Sequence, residues 1–189
     1  VQGHTQTLWK LLKRYHIPTF LFVNKMDQEG TDGEKLLKEL RKRFGENVVP
    51  FVDIMTESDC PGGKVYLHTK EGAVEEVLEE LAVCEEDMME EYLEEGRISL
   101  DKVQKAVADR QVFPCYFGSA LHSQGVEELL DGLDLYIKDK TYPAEFGAKV
   151  YKIARDNQGN RLTYLKVTGG RLKVKDVVEG LNEKINQIR

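Results

Sequence analysis

The chain has 189 residues, 41% hydrophobic and 32% charged, with a formal net charge of -6. That balance belongs to a folded globular protein and excludes disordered and collagen-like chains; the length suits one domain, or one domain plus part of another. No apolar run approaches the about 18 residues of a membrane helix, so no membrane partner is expected.

The opening Val-Gln-Gly-His carries neither an initiator Met nor a signal-peptide pattern, and the chain is expected to be an excised piece of a cytoplasmic protein. Leu8, Leu11, Leu12 and Tyr15 stand at i, i+3, i+4 and i+7, one apolar helical stripe that Pro18 ends. Thr19 to Val23 is a short, nearly all-apolar run between Pro18 and Asn24-Lys25, the pattern of a strand buried on both faces of a parallel sheet. Thr31 stands three residues before Glu34 as a capping box, followed by Leu36, Leu37, Leu40 and Phe44 at helical spacing and a terminating Gly45. Val48 to Val52 reads as a strand that Pro50 confines to an edge or a bend. Pro61-Gly62-Gly63 reads as a turn, and Lys64 to Thr69 as another short strand.

Residues 73–95 read as one acidic helix, with Val74, Val77, Leu78, Leu81, Cys84, Met88 and Tyr92 on its apolar side and glutamates on the other. Ser99 is placed to cap a further helix reaching about Arg110. Val112 to Phe117 is a second buried-type strand, and 125–137 a helix with Val126, Leu129, Leu130, Leu133 and Ile137 inside; the plain reading of the link between them is a strand–turn–helix connection in which Ser123 caps the helix. After Thr141-Tyr142-Pro143 the texture changes to short β runs at 146–154, 161–168 and 171–178, separated by Asp156–Asn160 and Gly169-Gly170. The first part is therefore α/β and the tail antiparallel β, with the boundary near residue 142.

Charge is distributed unevenly. Residues 1–50 carry nine Lys and Arg against six Asp and Glu, residues 51–110 six against seventeen, and residues 111–189 twelve against ten. The acidic middle marks modular organisation. The plain reading of its helix is a solvated face; the alternative is a partner surface. The basic tail, Lys149 to Lys175, suits either RNA contact or an ordinary charged sheet surface. Three cysteines at 60, 84 and 115 lack disulfide or zinc spacing and are expected to be buried, reduced thiols; the four histidines form no ligand cluster.

Two motifs carry chemistry. Asn24-Lys25-Met26-Asp27 directly follows the first buried strand, and ligands of open α/β sheets bind at that end of the strands. A carboxylate accepts two hydrogen bonds from adjacent N–H groups, which guanine offers at N1 and N2 and adenine does not. The Asn24 amide donates and accepts near O6 and N7, and the Lys25 stem lies along the base face. Gly118-Ser119-Ala120-Leu121 follows the second buried strand in the same way. Its small residues allow close backbone approach. The Ala120 N–H is placed to donate to guanine O6 and Ser119 to brace the Asp27 loop.

Residues 1–32, with Ile17-Pro18-Thr19 and Asn24-Lys25-Met26-Asp27, resemble the second half of the G domain of translational GTPases. Phe113-Pro114, Tyr116 and Gly118-Ser119-Ala120 resemble that family's fifth guanine-nucleotide motif. Gly147 to Ile153, Gly170, Leu172 and Asp176-Val177-Val178 resemble the start of its β-barrel second domain. Within the family the chain is most similar to tetracycline-resistance ribosomal protection proteins and next to elongation factor G; only the acidic insert is loosely matched. The segment Lys138 to Pro143 lacks the Leu-Pro-Ser-Pro type of linker usual in elongation factor G.

The resemblance implies an incomplete P-loop-GTPase-type parallel sheet over 1–142, with an acidic helical insert at about 53–110, and a partial antiparallel β-barrel over 143–189. It implies guanine-nucleotide binding by Asn24, Lys25, Asp27, Ser119, Ala120 and Leu121, with no catalytic residue in this chain. GTP or GDP with Mg2+ is the implied ligand of the whole protein. The ribosome (RNA, proteins and the stalk) is the implied partner. No G-x-x-x-x-G-K-[ST] occurs: in Gly62-Gly63-Lys64-Val65, Ser58 replaces the first glycine and Val65 the hydroxyl residue. The chain is therefore expected to recognise the base without hydrolysing GTP by itself. Rival readings are an elongation factor G translocase, a non-catalytic ribosome-binding module and a purely structural domain.

Overall fold

A computed structural model describes residues 3–51, 54–57, 65–69, 76–138, 140–178 and 183–188. The chain divides into two compact units, Val1–Lys138 and Asp139–Arg189. The expected turn at Pro61-Gly62-Gly63 and the residues Cys60 and Val74 lie outside the described residues.

The first unit is α/β. In chain order it holds α1 (Gly3–Arg14), β1 (Leu21–Val23), α2 (Gly33–Phe44), β2 (Val48–Pro50), β3 (Ile54–Glu57) and β4 (Tyr66–Thr69). These are followed by α3 (Glu76–Val83), α4 (Glu86–Glu95), β5 (Ile98–Ser99), α5 (Leu100–Ala108), β6 (Phe113–Phe117), a 3-10 turn (Ala120–His122) and α6 (Val126–Tyr136). β1, β6 and β2 form a parallel sheet in that order, with Leu21 opposite Cys115, Val23 opposite Phe117 and Val48 opposite Phe113. Pro50 ends β2, a strand with one pairing partner among the described residues, which suits a residue with no N–H to give.

Both faces of this sheet are covered, which explains the unbroken apolar texture of β1 and β6. Strand alternation sends Leu21, Val23, Val48, Phe113 and Cys115 to one cluster, with Leu40, Phe44 and Trp9. It sends Phe22, Val49 and Tyr116 to the other, with Phe51, Val103, Val107 and Tyr136. The α1 stripe is not what packs. Leu8, Leu11 and Tyr15 are exposed, and Trp9 seats α1 instead, stacked on Phe44 at 4.4 Å and edge-on to Phe113 at 4.6 Å. A large ring between two aromatic partners buries more than the leucines would.

Other local expectations also shift by a residue or two. Asp32, not Thr31, caps α2, accepting from the Lys35 N–H at 3.1 Å. The Thr31 hydroxyl donates instead to the carbonyls of Met26 and Gln28, at 2.9 and 2.6 Å. α6 starts from Gly125 in the left-handed region (φ 72), and Ser123 makes no cap. It packs through Gly132 and Tyr136 while Leu130 is 58% exposed. A Cβ at Gly132 would overlap the Tyr116 hydroxyl, so helix and sheet approach only because it is absent.

The acidic segment is two helices rather than one. Cys84 and Glu85 close the end of α3 with bonds back to Leu81 and Ala82, and the extended Glu85 caps α4 by accepting from the Met88 N–H at 3.2 Å. Leu81 and Met88, one on each helix, both lie in the core. β3, β4 and β5 form an antiparallel sheet in the same unit.

The glutamates are not all solvated. Glu91 is 7% exposed, and its Oε2 accepts from the Ser99 N–H (2.8 Å) and hydroxyl (2.9 Å), with Lys102 Nζ at 3.6 Å. Ser99 takes the expected N-cap position of α5 but forms no side-chain cap bond; its hydroxyl donates to Glu91 instead. Glu91→Ala leaves two buried donors unmet and is expected to cost about 2 kcal/mol. Urea unfolding followed by circular dichroism reads that loss, with Glu91→Gln, which keeps an acceptor, losing about half as much.

Burial pushes the Cys84 thiol up to about 11 and the Cys115 thiol to about 12, as inert structural thiols. Among the described residues no helix is long and apolar enough to cross a membrane.

The second unit is antiparallel. β7 (Gly147–Arg155) pairs with β8 (Arg161–Gly169), with an irregularity between Val150 and Lys152. The connecting turn is organised by Asp156, whose Oδ1 accepts from the N–H of Gln158 and of Asn160. β9 (Val177–Val178) pairs with β10 (Glu183–Lys184). The strand expected over 171–178 is confined to its last two residues. Asp176 Oδ2 accepts from the Lys173 N–H at 2.7 Å, and Lys175 turns into the left-handed region, so this stretch is a turn.

Candidate functional site

β1 and β6 run parallel in register, so the two motifs leave the sheet side by side. Val23 faces Phe117, the Gly118 N–H donates to the Val23 carbonyl at 3.0 Å, and the Met26 N–H donates to the Gly118 carbonyl at 3.0 Å. Each loop thus completes the other's backbone bonding. The strand starts are also tied together. Arg110, at φ 61, lies over the rings of Trp9 (5.2 Å) and Phe113 (5.0 Å). Its guanidinium donates to the Ile17 carbonyl and to Thr19 Oγ1. A cation held by two aromatic faces and two oxygens fixes where β1 begins relative to β6.

Asn24 is the clasp between the loops. Its Oδ1 accepts from the Lys25 N–H at 2.8 Å and from the Ala120 N–H at 2.9 Å. The Ala120 N–H, expected from the sequence to face guanine O6, is directed here to Asn24. The Asn24 Nδ2 is the part of that amide left to address a ligand. Lys25 adopts φ 68, uncommon for a side chain of its kind, and the Gln28 N–H returns to the Lys25 carbonyl at 3.2 Å. That conformation costs on the order of 1 kcal/mol, and such strain gathers at ligand-binding turns.

Asp27 projects from the same turn into the open. The Ser119 hydroxyl is the foremost influence holding its carboxyl below the usual range, followed by its own backbone N–H; His122 and Lys25 add to this, and partial desolvation opposes it. Asp27 is therefore an ionised acceptor at neutral pH. Ser119 is 1% exposed, and its Oγ is the one buried side-chain polar atom among the described residues without a hydrogen bond of normal length and angle. Leu121 is 86% exposed at the rim.

The structure thus brings together all six residues singled out in the sequence: Asn24, Lys25, Asp27, Ser119, Ala120 and Leu121. It adds two more. Gly118 is the point at which both loops touch. His122, in the 3-10 turn, places Nε2 3.7 Å from Asp27 Oδ2. The signal for His122 was its position next to Leu121, but no spacing rule connects it to Asp27, 95 positions earlier in the sequence.

Chemically, the corner presents one ionised carboxylate, one amide donor, a lysine stem and a small-residue floor. A carboxylate acceptor and an amide donor side by side can pair with adjacent polar groups of a planar ligand. Among the described residues no group of three or more His, Cys, Asp or Glu side chains is positioned to hold a metal ion.

A sequence model of the family described as the elongation factor Tu GTP binding domain matches residues 1–139. Among solved structures, a protein from Thermus thermophilus has a similar fold, with a TM-score of 0.66 and 25% sequence identity. The match covers 93% of this chain and 31% of that one, so this chain spans about a third of its length.

Proposed function

The chain belongs to the elongation factor Tu GTP-binding domain family, and from that premise we propose that it is the base-recognising part of a ribosome-dependent translational GTPase of the ribosomal protection type. Residues 1–142 are the later half of its G domain, with the acidic insert at about 53–110, and residues 143–189 open its β-barrel second domain. The whole protein binds GTP, docks on the ribosome, displaces tetracycline and leaves on hydrolysis. The observation that carries the nucleotide part is the pairing of Asn24 and Asp27 with the Ser119–Ala120 loop at the carboxyl ends of two neighbouring parallel strands.

In this reading Asp27 accepts from guanine N1–H and N2–H, and Asn24 Nδ2 donates toward O6 and N7. Lys25 and Leu121 cover the base, while Ser119 and Ala120 hold the two reading residues. The phosphates and their Mg2+ belong to parts of the GTPase outside this sequence, because no phosphate-loop motif occurs in it. The chain alone therefore binds guanine nucleotide feebly and hydrolyses none, since phosphate contacts supply much of a nucleotide's affinity. Ribosomal RNA, ribosomal proteins and the stalk are the partners of the whole protein.

The test uses the whole protein with ribosomes carrying labelled tetracycline. GTP is added, and phosphate and drug release are followed together. Ribosome-stimulated hydrolysis with drug release supports the protection reading. Hydrolysis with the drug retained replaces it with a translocase or another factor of the family. Absence of ribosome-stimulated hydrolysis leaves a non-catalytic binding module.

A further inference from the structure

Beyond reading guanine, the Asp27 corner holds a second cation that base recognition does not require. His122 Nε2 stands 3.7 Å from Asp27 Oδ2, on the loop that also supplies Ser119 and Ala120. We infer that His122 controls guanine binding by its proton: the imidazolium pairs with the Asp27 carboxylate and competes with the base for it, so affinity for guanine nucleotides falls on acidification. This rests on the guanine reading of the site.

Asp27 has two oxygens, and guanine's N1–H and N2–H require both. Oδ2 is the oxygen His122 faces. At 3.7 Å an imidazolium acts through its charge, drawing the carboxylate's negative charge toward itself and weakening both oxygens as acceptors for the base. A neutral imidazole lacks that charge.

Histidine is the side chain whose charge changes between pH 5 and 8. The ionisable groups at this corner are Asp27 and Lys25 on the loop after β1 and His122 on the loop after β6. The Asp27 carboxyl is held below its usual range, so it is ionised throughout and supplies no slope. Affinity therefore rises with pH as His122 loses its proton, and is lowest where it is charged. Both partners are accessible to solvent, with side chains 56% and 31% exposed for His122 and Asp27, so the pair is weakened by salt and the effect is modest. A loss of about threefold to fivefold in affinity is expected between pH 8 and pH 5.5.

The experiment titrates the chain with GDP at pH 8.0 and pH 5.5, reading amide shifts of the 24–27 and 118–122 loops by NMR, with ADP as the control base. Wild type is expected to lose about threefold to fivefold on acidification. His122→Gln, which keeps a polar group of similar reach and cannot become a cation, is expected to lose less than about twofold. In high salt the wild-type slope flattens toward that of the variant.

Equal slopes in wild type and His122→Gln, or a wild-type affinity that does not fall, overturn the role of His122. Asp27→Ala at pH 8.0 separates this from failure of the site itself. If GDP binding is lost in that variant, the guanine reading stands and the pH comparison alone decides. If GDP binds no better than ADP, or binds equally well without Asp27, both the reading and the inference fall.

Discussion

Asp27→Asn is expected to exchange the base preference of the GTPase from guanine to xanthine. In the proposed reading the carboxylate accepts from two donors on guanine, N1–H and N2–H. An amide in its place presents one acceptor and one N–H donor, so the guanine amino group meets a donor and is left unpaired. Xanthine carries a carbonyl at position 2, which accepts from the new amide while N1–H still finds an oxygen. Sites built to pair specific polar groups reject mismatched partners strongly, and a loss of about 100-fold or more for GTP is expected, with xanthosine triphosphate becoming the better ligand. Competition binding of the two triphosphates to the whole protein measures it. An unchanged preference for GTP would show that Asp27 does not read the base. Ser119 and His122 remain to hold the substituted side chain near its native position.

The second large effect is expected at Gly118. A Cβ there would overlap the Gln124 carbonyl and stand 3.0 Å from the Phe22 ring, and the carbonyl is main chain. Gln124 cannot withdraw, because its own N–H donates to the Ser119 carbonyl at 3.0 Å and its carbonyl accepts from the Ser119 N–H at 3.0 Å. Gly118→Ala therefore forces the loop apart. Overpacking of this kind costs about 3 kcal/mol, near the upper end of its usual range. For a chain of this size the melting temperature falls by roughly 6–12 °C. Moving Gly118 also carries away the carbonyl that receives the Met26 N–H, so the Asn24–Asp27 turn loses its anchor. GDP binding, read by NMR at a temperature where the variant is folded, is expected to weaken together with stability. Gly3→Ala, at a position with nothing within 4 Å of the added carbon, is the matched control and is expected to be neutral in both measurements. If Gly118→Ala melts like the control, the tight contact between the two loops is not what holds the corner.

These two substitutions address different layers of the same corner. Asp27 is exposed and, in the proposed reading, pairs with the base, so its replacement is expected to change which base is bound. Gly118 is main-chain architecture, so its replacement changes whether the corner exists. Glu91 belongs to neither; it fastens the acidic helices to the start of α5 and is expected to affect stability alone.

Short-range chemistry is legible along the chain before any folding is considered. Strands β1 and β6 are apolar without alternation because both faces are covered, and that is visible as Phe20 to Val23 and Val112 to Phe117. Asn24-Lys25-x-Asp27 and Ser119-Ala120 are contiguous motifs, so the six candidate residues could be read as types at positions. Which groups meet is settled only in three dimensions. α1 turns on Trp9 rather than on its leucine stripe, because Phe44 and Phe113 arrive from distant sequence to receive the ring. The acidic stretch breaks at Cys84–Glu85, where α3 closes and the extended Glu85 caps α4, and continuous helical periodicity concealed the joint. Ser99 stands at the N-cap of α5 as expected, while its hydroxyl proton goes to a buried Glu91 that arrives from another helix. The Ala120 N–H meets Asn24, and His122 meets Asp27, only because parallel pairing of β1 with β6 sets two loops, nearly a hundred residues apart in sequence, edge to edge. Local pattern fixes the periodicity and type of an element within a few residues, whereas contacts between elements follow from packing energy summed over the whole chain.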